Sequence, residues 1–103
     1  MWSESKGIIA IDYDDTWTRD PVMWIKIVRL MKNCGWRVII ATGRKQWSDD
    51  MKRGMIPDNI TIVFCGNNLK QPEVKRQLGE KVAIWIDDMP GMIQNCKILD
   101  DDI

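Results

Sequence analysis

The sequence contains no histidine. Any general acid or base working near neutral pH must therefore be a carboxylate, a lysine, a cysteine or a tyrosine. Ser-His-Asp and Cys-His mechanisms are excluded, as are zinc sites built with histidine. Net charge is also missing: 15 basic residues balance 15 acidic ones. The totals thus show no electrostatic footprint for nucleic acid, although a local basic groove is compatible with them. No apolar run approaches the roughly 20 residues of a membrane span, and the first six residues lack a signal-peptide layout. A cytoplasmic protein with no membrane partner is expected. Cysteine is scarce and odd in number, and Cys34, Cys65 and Cys96 have no close ligand spacing. They read as buried thiols in a reducing compartment.

What remains is ordinary globular composition. The 103 residues are 45% hydrophobic and 29% charged, enough for a single domain over residues 1–103 whose core needs neither disulfides nor a structural metal. Four near-continuous apolar runs, Gly7 to Ile11, Arg37 to Ala41, Thr61 to Cys65 and Val82 to Ile86, suit parallel strands covered on both faces. Helix signals lie between them. Asp20-Pro21 supplies an N-cap and a first-turn proline, Trp24, Ile27, Val28 and Met31 form an apolar face, and Gly35 ends the helix. A shorter helix is expected over Lys45 to Arg53, ending at Gly54. A third runs from Pro72 to Gly79, a last one starts near Pro90, and Lys97 to Leu99 adds a short edge strand. This alternation predicts an α/β fold, a three-layer α/β/α sandwich around a parallel sheet.

In such sheets the functional groups gather at the carboxyl ends of the strands. Those ends read Asp12-Tyr13-Asp14-Asp15-Thr16, Thr42-Gly43-Arg44, Gly66-Asn67-Asn68 with Lys70 just beyond, and Asp87-Asp88. Lys6 and Lys81 precede their strands and belong to the opposite edge. Carboxylates at the ends of strands about 4.8 Å apart repel one another unless a cation neutralises them or a proton is shared. Oxygen-only ligands select a hard cation, and Mg²⁺ keeps places in its shell for water and a phosphate. A hydroxyl and a lysine nearby would hold phosphate oxygens. The chemistry suggested is phosphoryl transfer.

These motifs resemble those of the haloacid dehalogenase-like (HAD) superfamily. Asp12-Tyr13-Asp14-Asp15-Thr16 looks like its Asp-x-Asp-x-Thr signature, Ile39-Ile40-Ala41-Thr42-Gly43-Arg44 like its second motif, and Ile84-Trp85-Ile86-Asp87-Asp88 like its fourth. The resemblance implies a Rossmann-like core with strand one between strands two and four. It also implies a Mg²⁺-dependent phosphomonoester hydrolase in which Asp12 attacks phosphorus and becomes an aspartyl-phosphate. Asp14 would protonate the leaving oxygen and then take a proton from the hydrolytic water. The Asp14 carbonyl and the Asp12 and Asp87 side chains would bind Mg²⁺, and Thr42 would hydrogen-bond the phosphoryl group. Asp88 is either a further metal ligand or the N-cap before Met89-Pro90. The family's third motif is a lysine, for which Lys70 at a loop-helix junction is preferred to Lys75 inside the helix. Thr16, Gly43 and Arg44 are expected on the substrate side.

Most members of that superfamily carry a cap domain. The gaps from Thr16 to Asp20 and from Gly66 to Gln71 are too short to hold one, so a capless form is expected, similar to stand-alone phage proteins. An open site excludes water poorly. Either a large substrate, such as a nucleic-acid end, acts as its own lid, or a second copy in a homo-oligomer supplies one; a nucleotide is the small-molecule alternative. Trp36 and Trp85 are expected in the core, and Trp17 and Trp47 beside the pocket or an interface. Two other functions compete: a receiver-like module phosphorylated on aspartate, and an inactive interaction protein with the same fold. The strand ending at Cys65-Gly66 lacks the acid that a receiver places there.

Overall fold

The computed structural model describes residues 5–94. The chain is a small α/β domain around a four-stranded, all-parallel sheet. The strands are β1 (Ile8–Asp12), β2 (Arg37–Thr42), β3 (Thr61–Phe64) and β4 (Val82–Ile86), in spatial order β3-β2-β1-β4. Two α-helices connect them, α1 (Pro21–Asn33) and α2 (Lys70–Leu78). The expected edge strand at Lys97 to Leu99 and Cys96 lie outside the described residues. No helix among those described is long and apolar enough to cross a membrane.

Every residue of β1 is buried, as a central parallel strand covered on both faces requires. Its side chains alternate between two apolar clusters. Ile9 and Ile11 pack with Val28 of α1, while Ile8 and Ala10 pack with Val74 of α2. Asp12 continues the second series and therefore points to the side of the sheet that α2 covers. On β4, Trp85 belongs to that same cluster, so Asp87, two residues on, follows it there. The β1–β4 register is irregular: Ile8 pairs with Val82, but Ile9 pairs with Ile84. Ala83 is thus an extra residue, as in a bulge. Beyond it, Ile11 opposes Ile86, which brings Asp12 level with Asp87.

α1 starts as its sequence signals direct. The Asp20 side chain accepts a hydrogen bond from the Met23 N–H at 3.2 Å, Pro21 occupies the first turn, and Gly35 follows the helix at φ 98°. α2 ends on Gly79 at φ 78°. The segment after β2 departs from expectation. Instead of an α-helix over Lys45 to Arg53, the chain forms a 3-10 helix over Asp49–Gly54 that stops on Met55 at φ 53°. Local propensity is overridden there by three anchors. Met51 is fully buried in the α1-side cluster, the Gly54 carbonyl accepts Trp17 Nε1–H at 2.6 Å, and Ser48 and Asp50 bond the Arg44 guanidinium. After Pro90 there is only a 3-10 turn, Pro90–Met92.

Two side-chain expectations are corrected. Cys34 is exposed, because it caps the end of α1, whereas Cys65 is buried, with its thiol pushed up to about 11 by burial. Trp17 does not line a pocket: it is fully buried in the core, and its indole N–H holds the Gly54 carbonyl. Trp47 is exposed, and Trp36 and Trp85 are half-buried against the core clusters.

Candidate functional site

The carboxyl edge of the sheet assembles three carboxylates and a lysine. Asp12 is the last residue of β1, Asp87 and Asp88 follow β4, and Lys70 is the first residue of α2. Lys70 Nζ donates to Asp12 Oδ1 at 2.7 Å and to Asp87 Oδ2 at 2.6 Å. The three side chains are nearly sealed from solvent, with exposures of 6% for Lys70, 8% for Asp12 and 1% for Asp87. Ion pairs this buried persist only when their remaining polar atoms are satisfied. Asp87 Oδ1 accepts the Met89 N–H at 2.8 Å. The Thr16 hydroxyl lies 3.2 Å from Asp12 Oδ2 and 3.3 Å from Asp88 Oδ1, with one proton to give to either. Asp88 therefore does not cap the Pro90 turn; Asp87 takes the backbone N–H there.

The loop that carries Asp12 to Thr16 is held from two sides. Trp24 Nε1–H on α1 donates to the Thr16 carbonyl at 2.9 Å. Asp15 turns the chain at φ 63°, a left-handed conformation that aspartate tolerates better than most residues, and its N–H reaches Thr18 Oγ1 at 3.0 Å.

Charge in the cluster does not balance. Three carboxylates face one ammonium, which leaves two negative charges uncompensated. The pKa directions follow. Burial first, then the hydrogen bond to Asp88, push Asp12 up to about 6 against the pull of Lys70. Asp88 moves down through the same hydrogen bond. Burial alone would lower Lys70, but its bonds to Asp12 and Asp87 outweigh it and hold the ammonium above its ordinary range. Oxygen atoms of Asp12, Asp87 and Asp88 lie within 4.8 Å of one another. Donor type and charge suit a hard divalent cation.

Asp14 stands apart from this group. Its exposed carboxylate is paired bidentately with Arg44, Nε to Oδ2 at 3.0 Å and Nη2 to Oδ1 at 2.8 Å. Arg44 lies over the buried Tyr13 ring, 5.2 Å from its centroid. A cleft of about 350 Å³ opens here, lined by Tyr13, Asp14, Thr18, Arg44, Arg53 and Gly54. Thr42 is fully buried, and strand alternation places it with Ile40 on the Tyr13 side. Its hydroxyl accepts the Arg44 N–H at 3.1 Å. Gly43 is exposed in the loop between them. Lys75 is exposed one turn into α2, so Lys70 is the lysine that meets the carboxylates.

Comparison of the chain with protein-family models, with curated proteins and with solved structures returned no match.

Ser48 and Asp50 complete the Arg44 network without belonging to any motif at a strand end. Their only signal was an acid pair following a serine, in a segment read as a helix. The place of the Thr16 hydroxyl between Asp12 and Asp88 likewise has no sequence signal.

Proposed function

We propose that the chain is a magnesium-dependent phosphomonoester hydrolase of the HAD-like kind, built on a three-layer α/β/α core, that forms an aspartyl-phosphate on Asp12. The observation that carries this reading is the Lys70 ammonium bridging Asp12 and Asp87 within a carboxylate group that still has two negative charges to neutralise. A purely structural cluster would gain nothing from gathering more carboxylates than cations around a buried pair. One that receives a cation and a phosphate needs that excess.

In this reading Asp12, Asp87 and Asp88 would hold the ion with help from the Asp14 carbonyl. The ion supplies charge neutralisation at the phosphoryl oxygens when bound. Lys70, bonded to Asp12 Oδ1, would fix the orientation of the carboxylate for attack on phosphorus. The Thr42 hydroxyl, an acceptor for the Arg44 N–H, retains its own proton as a donor toward the phosphoryl group. Asp14 gives a proton to the leaving oxygen and later takes one from the water that cleaves the acyl phosphate. The substrate proposed is a nucleotide or a nucleic-acid terminal phosphate.

The competing receiver-like reading is disfavoured by topology. Receivers follow the flavodoxin-like order 2-1-3-4-5, whereas the order here, β3-β2-β1-β4, follows the dinucleotide-binding arrangement. The test is turnover of p-nitrophenyl phosphate and of 3′- and 5′-phosphorylated oligonucleotides with Mg²⁺. Activity that requires the ion and falls at least about 10³-fold in Asp12→Asn is expected, since removal of a covalent nucleophile abolishes its pathway. Equal rates in the wild type and Asp12→Asn would overturn the assignment.

A further inference from the structure

Arg44 is saturated by the chain itself. Besides the two bonds to Asp14, Nη1 and Nη2 each reach an Asp50 carboxylate oxygen at 3.0 Å, and Nη1 reaches Ser48 Oγ at 2.7 Å. Ser48 Oγ in turn donates to Asp50. A guanidinium has five N–H donors, and these five bonds engage all of them. No donor is left for a ligand, so a substrate contact by Arg44 would require breaking the network.

Stability does not explain the arrangement. The side chains of Arg44, Asp14 and Asp50 are 27%, 51% and 48% exposed, and ion pairs this open to water contribute little. The consequence is geometric. A planar fork gripped on one edge by Asp50 and Ser48 can present its other edge in only one orientation, and that edge holds Asp14. Asp14, Arg44 and Asp50 line one cleft, over the Tyr13 ring.

We propose that Asp50 and Ser48 are positioning residues for Asp14, acting through Arg44 to present its carboxyl group to the leaving-group oxygen of a substrate lying in that cleft. This rests on the phosphohydrolase reading above. As the bond between phosphorus and the leaving oxygen breaks, the new bond to Asp12 forms and the Asp14 proton passes to the leaving oxygen. For this step Asp14 carries its proton on one oxygen, which gives up its bond to Arg44; once the proton has passed, the carboxylate left behind regains both the Nε–H and Nη2–H bonds. In the second step water attacks phosphorus, the bond to Asp12 breaks, and the water proton returns to Asp14.

The discriminating measurement is kcat/KM, with Mg²⁺, for p-nitrophenyl phosphate and for an alkyl phosphomonoester. Nitrophenolate departs unprotonated, whereas an alkoxide needs the proton. Because kcat/KM includes only steps through the first phosphoryl transfer, hydrolysis of the intermediate does not enter. A positioned general acid contributes roughly 10²–10⁴-fold. Asp50→Asn should lower the alkyl-to-aryl ratio by about tenfold, part of that range, with Ser48→Ala lowering it less. In ¹⁵N NMR spectra the Arg44 Nε–H signal should lose protection from solvent exchange in Asp50→Asn. An unchanged ratio, with both esters slowed alike or not at all, overturns the proposal while leaving the phosphohydrolase reading intact. So does unchanged Nε–H protection. A wild-type protein that turns over neither ester overturns the underlying reading, and the proposal with it.

Discussion

At Asp12, burial and a neighbouring carboxylate oppose one lysine, and the carboxyl group is pushed up to about 6. Between its ordinary value of 3.8 and that value, the folded chain holds a proton that the unfolded chain has released. Folding stability from this group is therefore fully present below about pH 4 and falls as pH rises to about 6. Asp50 and Glu73 act in the opposite sense. Arg44 and Arg76 respectively hold them down to about 2, so the small contribution of these exposed pairs is present above their ordinary values of 3.8 and 4.5 and lost as pH falls toward 2. Metal-free protein should accordingly lose melting temperature between about pH 4 and pH 6. Asp12→Asn should flatten that decline and melt higher than the wild type at neutral pH, as replacement of strained functional groups often does. Thermal melts of both proteins across this range check it; parallel curves would refute the pKa assignment. At this scale Asp12, Asp87 and Lys70 were legible in the sequence, because parallel sheets deliver strand ends to one edge. The partners of Arg44 were not, because Asp50 reaches it only along a loop path that no periodicity encodes.

The 3-10 helix over Asp49–Gly54 is the element whose form the sequence misled. Its residues carry helix-compatible side chains, but Met51 and Gly54 are drawn to Tyr13 and Trp17, and a regular α-helix could not reach both. Tyr13 Oη bonds the Met51 carbonyl at 3.4 Å. A Cβ at Gly54 would overlap the Tyr13 hydroxyl and crowd its ring. Gly54→Ala should therefore destabilise the protein by about 1–3 kcal/mol, the usual cost of overpacking a buried contact. Urea denaturation measures this, and a loss below about 0.5 kcal/mol, the range of ordinary surface substitutions, would show that the element shifts freely. Because Asp50 and Ser48 ride on the same segment, the variant should also loosen the Arg44 network. The strands and α1, by contrast, were readable to within a residue or so. Their apolar runs and caps are local, and packing had no reason to override them.

For the molecule as a whole, the order β3-β2-β1-β4 sets β1 at the centre, and the irregularity at Ala83 brings Asp12 level with Asp87. In the proposed reading, a divalent cation held by this concentration of negative charge would link its binding to folding. A ligand bound only by the folded state adds about 1.4 kcal/mol at ten times its Kd, which raises Tm by several degrees in a domain of this size. Mg²⁺ should thus raise the melting temperature of the wild type at neutral pH, EDTA should reverse the gain, and Asp87→Asn should abolish it. Scanning calorimetry with and without the ion is the check. Equal shifts in the wild type and Asp87→Asn would place the ion elsewhere.

The amino-acid sequence alone determined the parallel α/β character, the positions of the four strands and of α1, and the set of acids, hydroxyls and lysine carried to one edge. These follow from hydrophobic runs, caps and strand polarity, all local properties of the chain. Only the tertiary structure decided that Lys70 bridges Asp12 and Asp87, that Thr16 links Asp12 to Asp88, and that Arg44 ties Asp14 to Asp50. Those pairings depend on strand order, on a single extra residue in β4 and on the course of a loop. Each is chosen by packing between segments distant in sequence, and none leaves a periodic trace to read.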